Sequence, residues 1–224
     1  MCASGRLKGV VFDLLYTLVH PEGFPGGGDR TTWLAGLLGV DERALGSRWH
    51  AFEATLESGQ APVTAPLGPE LTWITHVAAE LGRPIGPETL RLVEREWDLT
   101  RRRALRDPPA ETIDVLVALH SMDLKIGVLS NTHELELRGW SSSPLADLVD
   151  AVCFSHEIGA MKPDPAAYEA IVDRLGISAR DAAYVGDGSS NELVGARRAG
   201  FSLVILAAAA PTRLSLERLP ALRD

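Results

Sequence analysis

Asp13 closes a short apolar run, Leu7-Lys8-Gly9-Val10-Val11-Phe12, and Thr17 follows it four residues later. A lone carboxylate at the end of a buried strand can serve as a nucleophile or a metal ligand. Further along, Val128-Leu129 runs into Ser130-Asn131, and Tyr184-Val185 runs into Gly186-Asp187. Met161-Lys162-Pro163-Asp164-Pro165 sets a lysine just before two prolines, and Gly188-Ser189-Ser190-Asn191-Glu192 brings an acid to a helix start. This set suits a phosphoryl group. Asp13 and Asp187 can hold a hard cation such as Mg²⁺, which prefers oxygen ligands and keeps waters. Such a cation removes the repulsion between a carboxylate nucleophile and a phosphate dianion. Thr17, Ser130 and backbone N–H groups can bind the non-bridging oxygens, and Lys162 can neutralise charge spreading over them. Each residue alone has a plainer explanation. Asp is common after strands, a lysine before proline is an ordinary loop residue, and Gly-Asp-Gly is an ordinary turn. Their ordered recurrence at strand ends points to chemistry.

The elements that must position these groups follow from the pattern. Residues 7–13 read as a buried strand, and 125–129, 151–154, 182–185 and 202–206 as further strands. Helices are predicted over 108–120, 165–175 and 192–199. Strand alternating with helix implies an α/β fold with a parallel sheet and right-handed crossovers. In such a sheet the strand ends share one edge, where ligands bind. Residues 29–103 read differently, as helices with few strands. Trp33, Leu34, Leu37 and Leu38 have helical spacing, as do Trp49, Phe52 and Leu56, then Leu71, Ile74, Val77 and Leu81, then Leu90, Val93 and Trp97. The first strand has no sequential partner and is expected to join the later sheet. The chain therefore divides into a core of 1–20 and 104–224 and a helical insertion of 21–103. The tryptophans of the insertion are expected in its core. The glycine-rich 23–28 lacks a following Gly-Lys-Ser/Thr and reads as a hinge or linker.

Composition narrows the partners. The net charge of −8, from 22 basic and 30 acidic residues, argues against a nucleic-acid partner held by bulk electrostatics. Arg101-Arg102-Arg103 reads as a solvated helix end. No apolar run approaches the ~20 residues of a membrane span, and no signal-peptide pattern opens the chain, so a cytoplasmic location is expected. Cys2 and Cys153 lie far apart, and neither suggests redox or zinc chemistry. Among six histidines none has paired metal spacing; His20 and His133 lie nearest the strand-end residues. Oligomeric state is not readable, which leaves a homodimer open.

On these residues the chain resembles the haloacid dehalogenase superfamily. Phe12-Asp13-Leu14-Leu15-Tyr16-Thr17-Leu18 is similar to its first motif and Val128-Leu129-Ser130-Asn131 to its second. Lys162-Pro163-Asp164-Pro165 with Tyr168 is similar to its third, and Gly186-Asp187 to Glu192, with Gly195 to Gly200, to its fourth. The resemblance implies a Rossmann-like core with an inserted all-helical cap. It implies Asp13 as a nucleophile forming a covalent aspartyl intermediate, with Ser130 and Lys162 stabilising the transferring group and Thr17 and Asn131 beside the phosphate. It implies a magnesium site of Asp13, the Leu15 carbonyl and Asp187, with Glu192 supporting it.

One position departs from that pattern. The second aspartate, which protonates the leaving oxygen and activates water, is here Leu15. Three readings follow. The first is a Mg²⁺-dependent hydrolase of a small phosphorylated metabolite, with its acid–base absent or relocated. The second is a metal-independent 2-haloacid dehalogenase, with Arg43 or Arg48 for the halide; Asp187 argues against it. The third is a non-catalytic binding module.

Overall fold

The computed structural model describes residues 6–26, 29–57, 68–132 and 137–207. The β-branched run ending at Asp13 forms the strand β1 (Gly9–Phe12), buried along its whole length. Four more strands follow: β2 (Lys125–Ser130), β3 (Ala151–Phe154), β4 (Ala182–Gly186) and β5 (Leu203–Leu206). They make one parallel sheet in the order β3-β2-β1-β4-β5. The first strand in sequence thus joins the later sheet, as expected, and is its central strand. Strand order reverses between β1 and β4, and the crevice at such a switch point is where open α/β sheets bind ligands.

Side chains alternate across the sheet with the period of two that pleating imposes. Val10, Phe12, Ile126, Val128, Ala183 and Val185 face one side. There they meet Val115, Leu116 and Leu119 of α5 (Ala110–Ser121). Val11, Leu129, Cys153 and Tyr184 face the other, against Tyr168, Ile171 and Leu175 of α7 (Pro165–Leu175) and Ala196 of α8 (Glu192–Arg198). A four-residue helix, α6 (Ser155–Ile158), which the sequence did not signal, follows β3. The second proline after Lys162 is the first residue of α7, and the Asp164 carboxylate before it accepts from the Ala166 N–H. Proline at this position loses nothing, since that N–H has no partner within the helix.

Between β1 and β2 lie α1 (Arg30–Leu38), α2 (Glu42–Glu57), α3 (Gly68–Glu80) and α4 (Pro87–Arg106). The Asp29 carboxylate caps α1 by accepting from the Thr32 N–H at 2.8 Å. These helices bury their own apolar cluster, including Phe24, Leu34, Leu45, Trp49, Ile74, Val77, Val93 and Trp97. Trp49 and Trp97 are buried and Trp33 and Trp73 half-buried, and all four pack ring against ring. The long helix α4 serves two cores. Val93 and Trp97 belong to the helical cluster, and Ala104 and Leu105, a few turns on, to the sheet's. Arg101-Arg102-Arg103 is not the wholly solvated helix end expected of it. Arg102 and Arg103 are exposed, but Arg101 is buried, its guanidinium carbon 5.4 Å from the Trp97 ring centroid. Val93, Trp97, Arg101 and Leu105 follow one another at i+4 and so share the inward face. Among the described residues no helix is long and apolar enough to cross a membrane.

Candidate active site

The N–H of Asp13 still belongs to the sheet, donating to Val185 O at 2.8 Å, so the carboxylate stands at the sheet's edge. The chain then folds back tightly. Leu18 and Val19 N–H both donate to Leu14 O, and Tyr16 N–H to Val19 O. Tyr16 sits at φ 64°, a left-handed conformation that is an outlier for a bulky side chain. This loop returns Thr17 to the strand end, where its hydroxyl donates to Asp13 Oδ2 at 3.0 Å. Leu15 is half-buried, with its side chain against the apolar cluster of the α5 face. The position that would carry an acid–base group carries a packed hydrocarbon instead.

Lys162 reaches the same edge from the segment before α7. Its ammonium lies 2.5 Å from Asp13 Oδ1 and 2.6 Å from Glu192 Oε2, almost wholly out of solvent. Asn131 holds the lysine's main chain from both sides. Lys162 N–H donates to Asn131 Oδ1 at 2.8 Å, and Asn131 Nδ2 donates to Lys162 O at 2.9 Å. Asn131 was expected beside the phosphate; what the structure shows of its amide is this clamp. Ser130 ends β2 one register step beyond the level of Asp13, and is buried.

Asp187 follows β4 and accepts from the Ser189 N–H at 2.9 Å. Glu192, the first residue of α8, points back into the sheet and is fully buried. Its Oε1 accepts from Gly188 N–H at 2.9 Å, and its Oε2 from Tyr184 OH at 2.7 Å as well as from Lys162. Gly186 is what admits it. A Cβ there would lie 2.0 Å from Glu192 Oε1, so any side chain would evict the carboxylate. Tyr168 OH donates to the main-chain oxygen of Glu192 at 2.8 Å and fixes the start of α8.

Burial pushes the Asp13 carboxyl up to about 7, against the pull of Lys162. Burial also raises Asp187, opposed by the Ser189 N–H. Burial would discharge Lys162, yet Asp13 and Glu192 outweigh it and keep the ammonium charged. Glu192 is likewise held below its usual range, because Lys162, Tyr184 and Gly188 outweigh its desolvation. Asp13, Asp187 and Glu192 each offer a carboxylate oxygen, all within 4.8 Å of one another. Three carboxylates, only two of them paired with an ammonium, leave excess negative charge in a largely buried place, and all three supply hard oxygen donors. That is the setting a Mg²⁺ ion fits.

The structure thus brings Asp13, Thr17, Lys162, Asp187 and Glu192 together, with Ser130 and Asn131 on the same edge. Tyr184 was legible only as a strand residue. The available signal was a phenol inside a wholly buried strand, which requires a partner. His20 is half-buried just past the loop, and His133 lies outside the described residues. Helix α2 lies against the Ser189–Asn191 turn beside Asp187, where Ser190 and Asn191 are both left-handed.

A five-stranded parallel sheet with a carboxylate after its central strand, a buried lysine and an acidic pair after β4 defines a class of hydrolase. The family profile for haloacid dehalogenase-like hydrolases matches residues 7–200, and the chain belongs to that family. The phosphatase MT3486 of Mycobacterium tuberculosis is 40% identical over 92 residues, covering 40% of this chain and 42% of that protein. The glyceraldehyde 3-phosphate phosphatase of Methanopyrus kandleri is 32% identical over 100 residues, covering 43% and 42%. The matched part is thus under half the length of these curated relatives. Among solved structures, the L-2-haloacid dehalogenase RSc1362 superposes with a TM-score of 0.70 at 20% identity, over 97% of this chain and 99% of that one. At that identity the likeness is one of fold.

Proposed function

We propose that the chain is a Mg²⁺-dependent phosphohydrolase of a small phosphorylated metabolite, with Asp13 as nucleophile. The observation that carries this reading is the cluster of Asp13, Asp187 and Glu192, whose oxygens converge within 4.8 Å, Asp13 and Glu192 both pairing with Lys162. Phosphatase-named relatives support it. Asp13 and Asp187, with the Leu15 carbonyl, would hold the ion, and Glu192 would support the site. When bound, Mg²⁺ supplies the positive charge that lets a carboxylate and a phosphate approach.

In the first step an Asp13 oxygen bonds to phosphorus and the bond to the leaving oxygen breaks, the electron pair going to that oxygen. Lys162, held charged, balances negative charge on the transferring group. Thr17 and Ser130 hold the carboxylate and the phosphoryl oxygens in line. Leu15 has no proton to give, so the leaving oxygen departs as an anion or takes a proton from solvent. In the second step water attacks phosphorus, the Asp13 oxygen is released as carboxylate, and the water's proton passes to solvent or phosphate. Without a base beside it this step is slow. Good leaving groups are therefore the expected substrates, and the aspartyl phosphate is expected to accumulate.

Residues 21–103 are proposed as the cap over this site. Their separate apolar cluster and the packing of α2 on the Ser189–Asn191 turn support that reading. Leu15 favours a second reading, a 2-haloacid dehalogenase, because that chemistry needs no acid at this place. The discriminating experiment is a screen of phosphorylated metabolites and p-nitrophenyl phosphate with and without Mg²⁺, beside chloride release from 2-chloropropionate. Phosphate release that stops on chelation is the expected result. Chloride release that ignores chelation would replace the first reading with the second.

A further inference from the structure

Tyr184 lies in the middle of β4, and its ring is fully buried on the α7 face. Rings on two sides fix it: the Tyr168 and Phe201 centroids each lie 5.7 Å away, in edge-on contacts. A phenol so enclosed has one reason to keep its hydroxyl, and that hydroxyl meets Glu192 Oε2 at 2.7 Å. Burial raises the phenol well above its ordinary range, so it is the donor and Glu192 the acceptor.

The consequence lies on the far side of Glu192. The same oxygen, Oε2, also accepts from Lys162 at 2.6 Å, while Lys162 binds Asp13 Oδ1 at 2.5 Å. An ammonium has three donors. With two on carboxylates, where it stands between them decides how much of its charge reaches Asp13 and the transferring group. Tyr184 supplies half of the donors on Glu192 Oε2. Without it, that oxygen is under-satisfied in a dry pocket and draws harder on Lys162.

Resting on the reading of Asp13 and Lys162 given above, we infer that Tyr184 is a positioning residue. Its hydroxyl fixes the Glu192 carboxylate, and through it sets where Lys162 stands relative to Asp13. Tyr184 touches neither the nucleophile nor the metal ligand Asp187 in any hydrogen bond of the described residues. It acts through Glu192 alone.

Two readouts test this on the full-length protein. In the first, Tyr184→Phe is assayed with p-nitrophenyl phosphate and Mg²⁺ at a temperature where it is fully folded. The expected result is a fall in kcat of about tenfold, the scale of one hydrogen bond to a charged group, with KM within about twofold. In a Glu192→Gln background the same change is expected to add little, because the path is already cut. Incorporating 4-aminophenylalanine at 184, which restores an N–H donor in place, is expected to recover most of the lost kcat. An unchanged kcat, a loss that is fully additive with Glu192→Gln, or no recovery by the amine would each overturn the inference. The second readout is a crystal structure of Tyr184→Phe, in which Lys162 is expected to leave Asp13 and close on Glu192. An unmoved Lys162–Asp13 contact overturns the inference whether or not the wild type is active. Absence of phosphatase activity in the wild type counts against the proposed function instead.

Discussion

Leu15→Asp tests what the site lacks. Leu15 is half-buried and packs on the α5-side core. Removing that contact costs about 1–1.5 kcal/mol. At about 2–4 °C per kcal/mol for a chain of this size, Tm is expected to fall by roughly 2–6 °C, and the protein to stay folded. In exchange the substitution places a carboxyl two residues past Asp13. General acid–base catalysis is worth on the order of 10²–10⁴ in rate, but only where a proton limits the step. An aryl oxide leaves without one, whereas an alkoxide does not. The informative assay therefore pairs p-nitrophenyl phosphate with a small alkyl phosphate, both with Mg²⁺. Wild type is expected to prefer the aryl ester strongly and to show a burst of nitrophenol, because dephosphorylation of Asp13 limits turnover. Leu15→Asp is expected to raise alkyl ester kcat/KM by about 10²-fold and to flatten the aryl burst. A folded variant that changes neither rate nor burst would mean that another group already moves these protons.

Gly186→Ala puts a methyl 2.0 Å from Glu192 Oε1, so the carboxylate must leave and a buried ion pair breaks, at about 3–5 kcal/mol; calorimetry is expected to show a Tm loss of roughly 10 °C. Gly36→Ala, in α1 with nothing within 4 Å, is the control, expected neutral or slightly stabilising, and an equal loss in both would refute the close-approach argument. For pH, Asp13 stands at about 7 without the cation, so the folded protein holds a proton that the unfolded chain releases near 4. That stabilisation is full at acid pH and lost as pH rises through about 7, with Asp187 acting in the same direction. Denaturant titrations in chelator between pH 5 and 8 are expected to show falling stability, and Mg²⁺ is expected to shift the acid limb of kcat/KM to lower pH. An acid limb that ignores Mg²⁺ would count against Asp13 as a ligand of the proposed ion.

The frame was legible because apolar runs ended abruptly in polar residues. That pattern located β1, β2, β4 and their shared edge, and with it Asp13, Thr17 and Asp187, while Lys162 was read from its place before two prolines and Glu192 from a helix start. The helical insertion was visible in its spacing. What the sequence concealed depends on direction in space. Arg101 looked like one of three equivalent arginines, yet only the i+4 row through Trp97 turns inward. Asn131 was expected beside the phosphate, and nothing in the sequence signalled that its amide closes on the lysine's main chain across 31 positions. Tyr184 shares the spelling of any buried strand; its hydroxyl gains meaning only when α8 returns Glu192 to it. Such long-range pairings leave no local periodicity to read.

The central claim is a covalent bond to Asp13, and acid-quenched mass spectrometry tests it most directly. Protein mixed with excess p-nitrophenyl phosphate and Mg²⁺ is expected to carry one phosphoryl group on the peptide containing Asp13, formed as fast as nitrophenol appears. Asp13→Asn is expected to form none and to lose turnover. Mg²⁺-dependent turnover that persists in Asp13→Asn at the wild-type rate, with no phosphate on that peptide, would contradict the account.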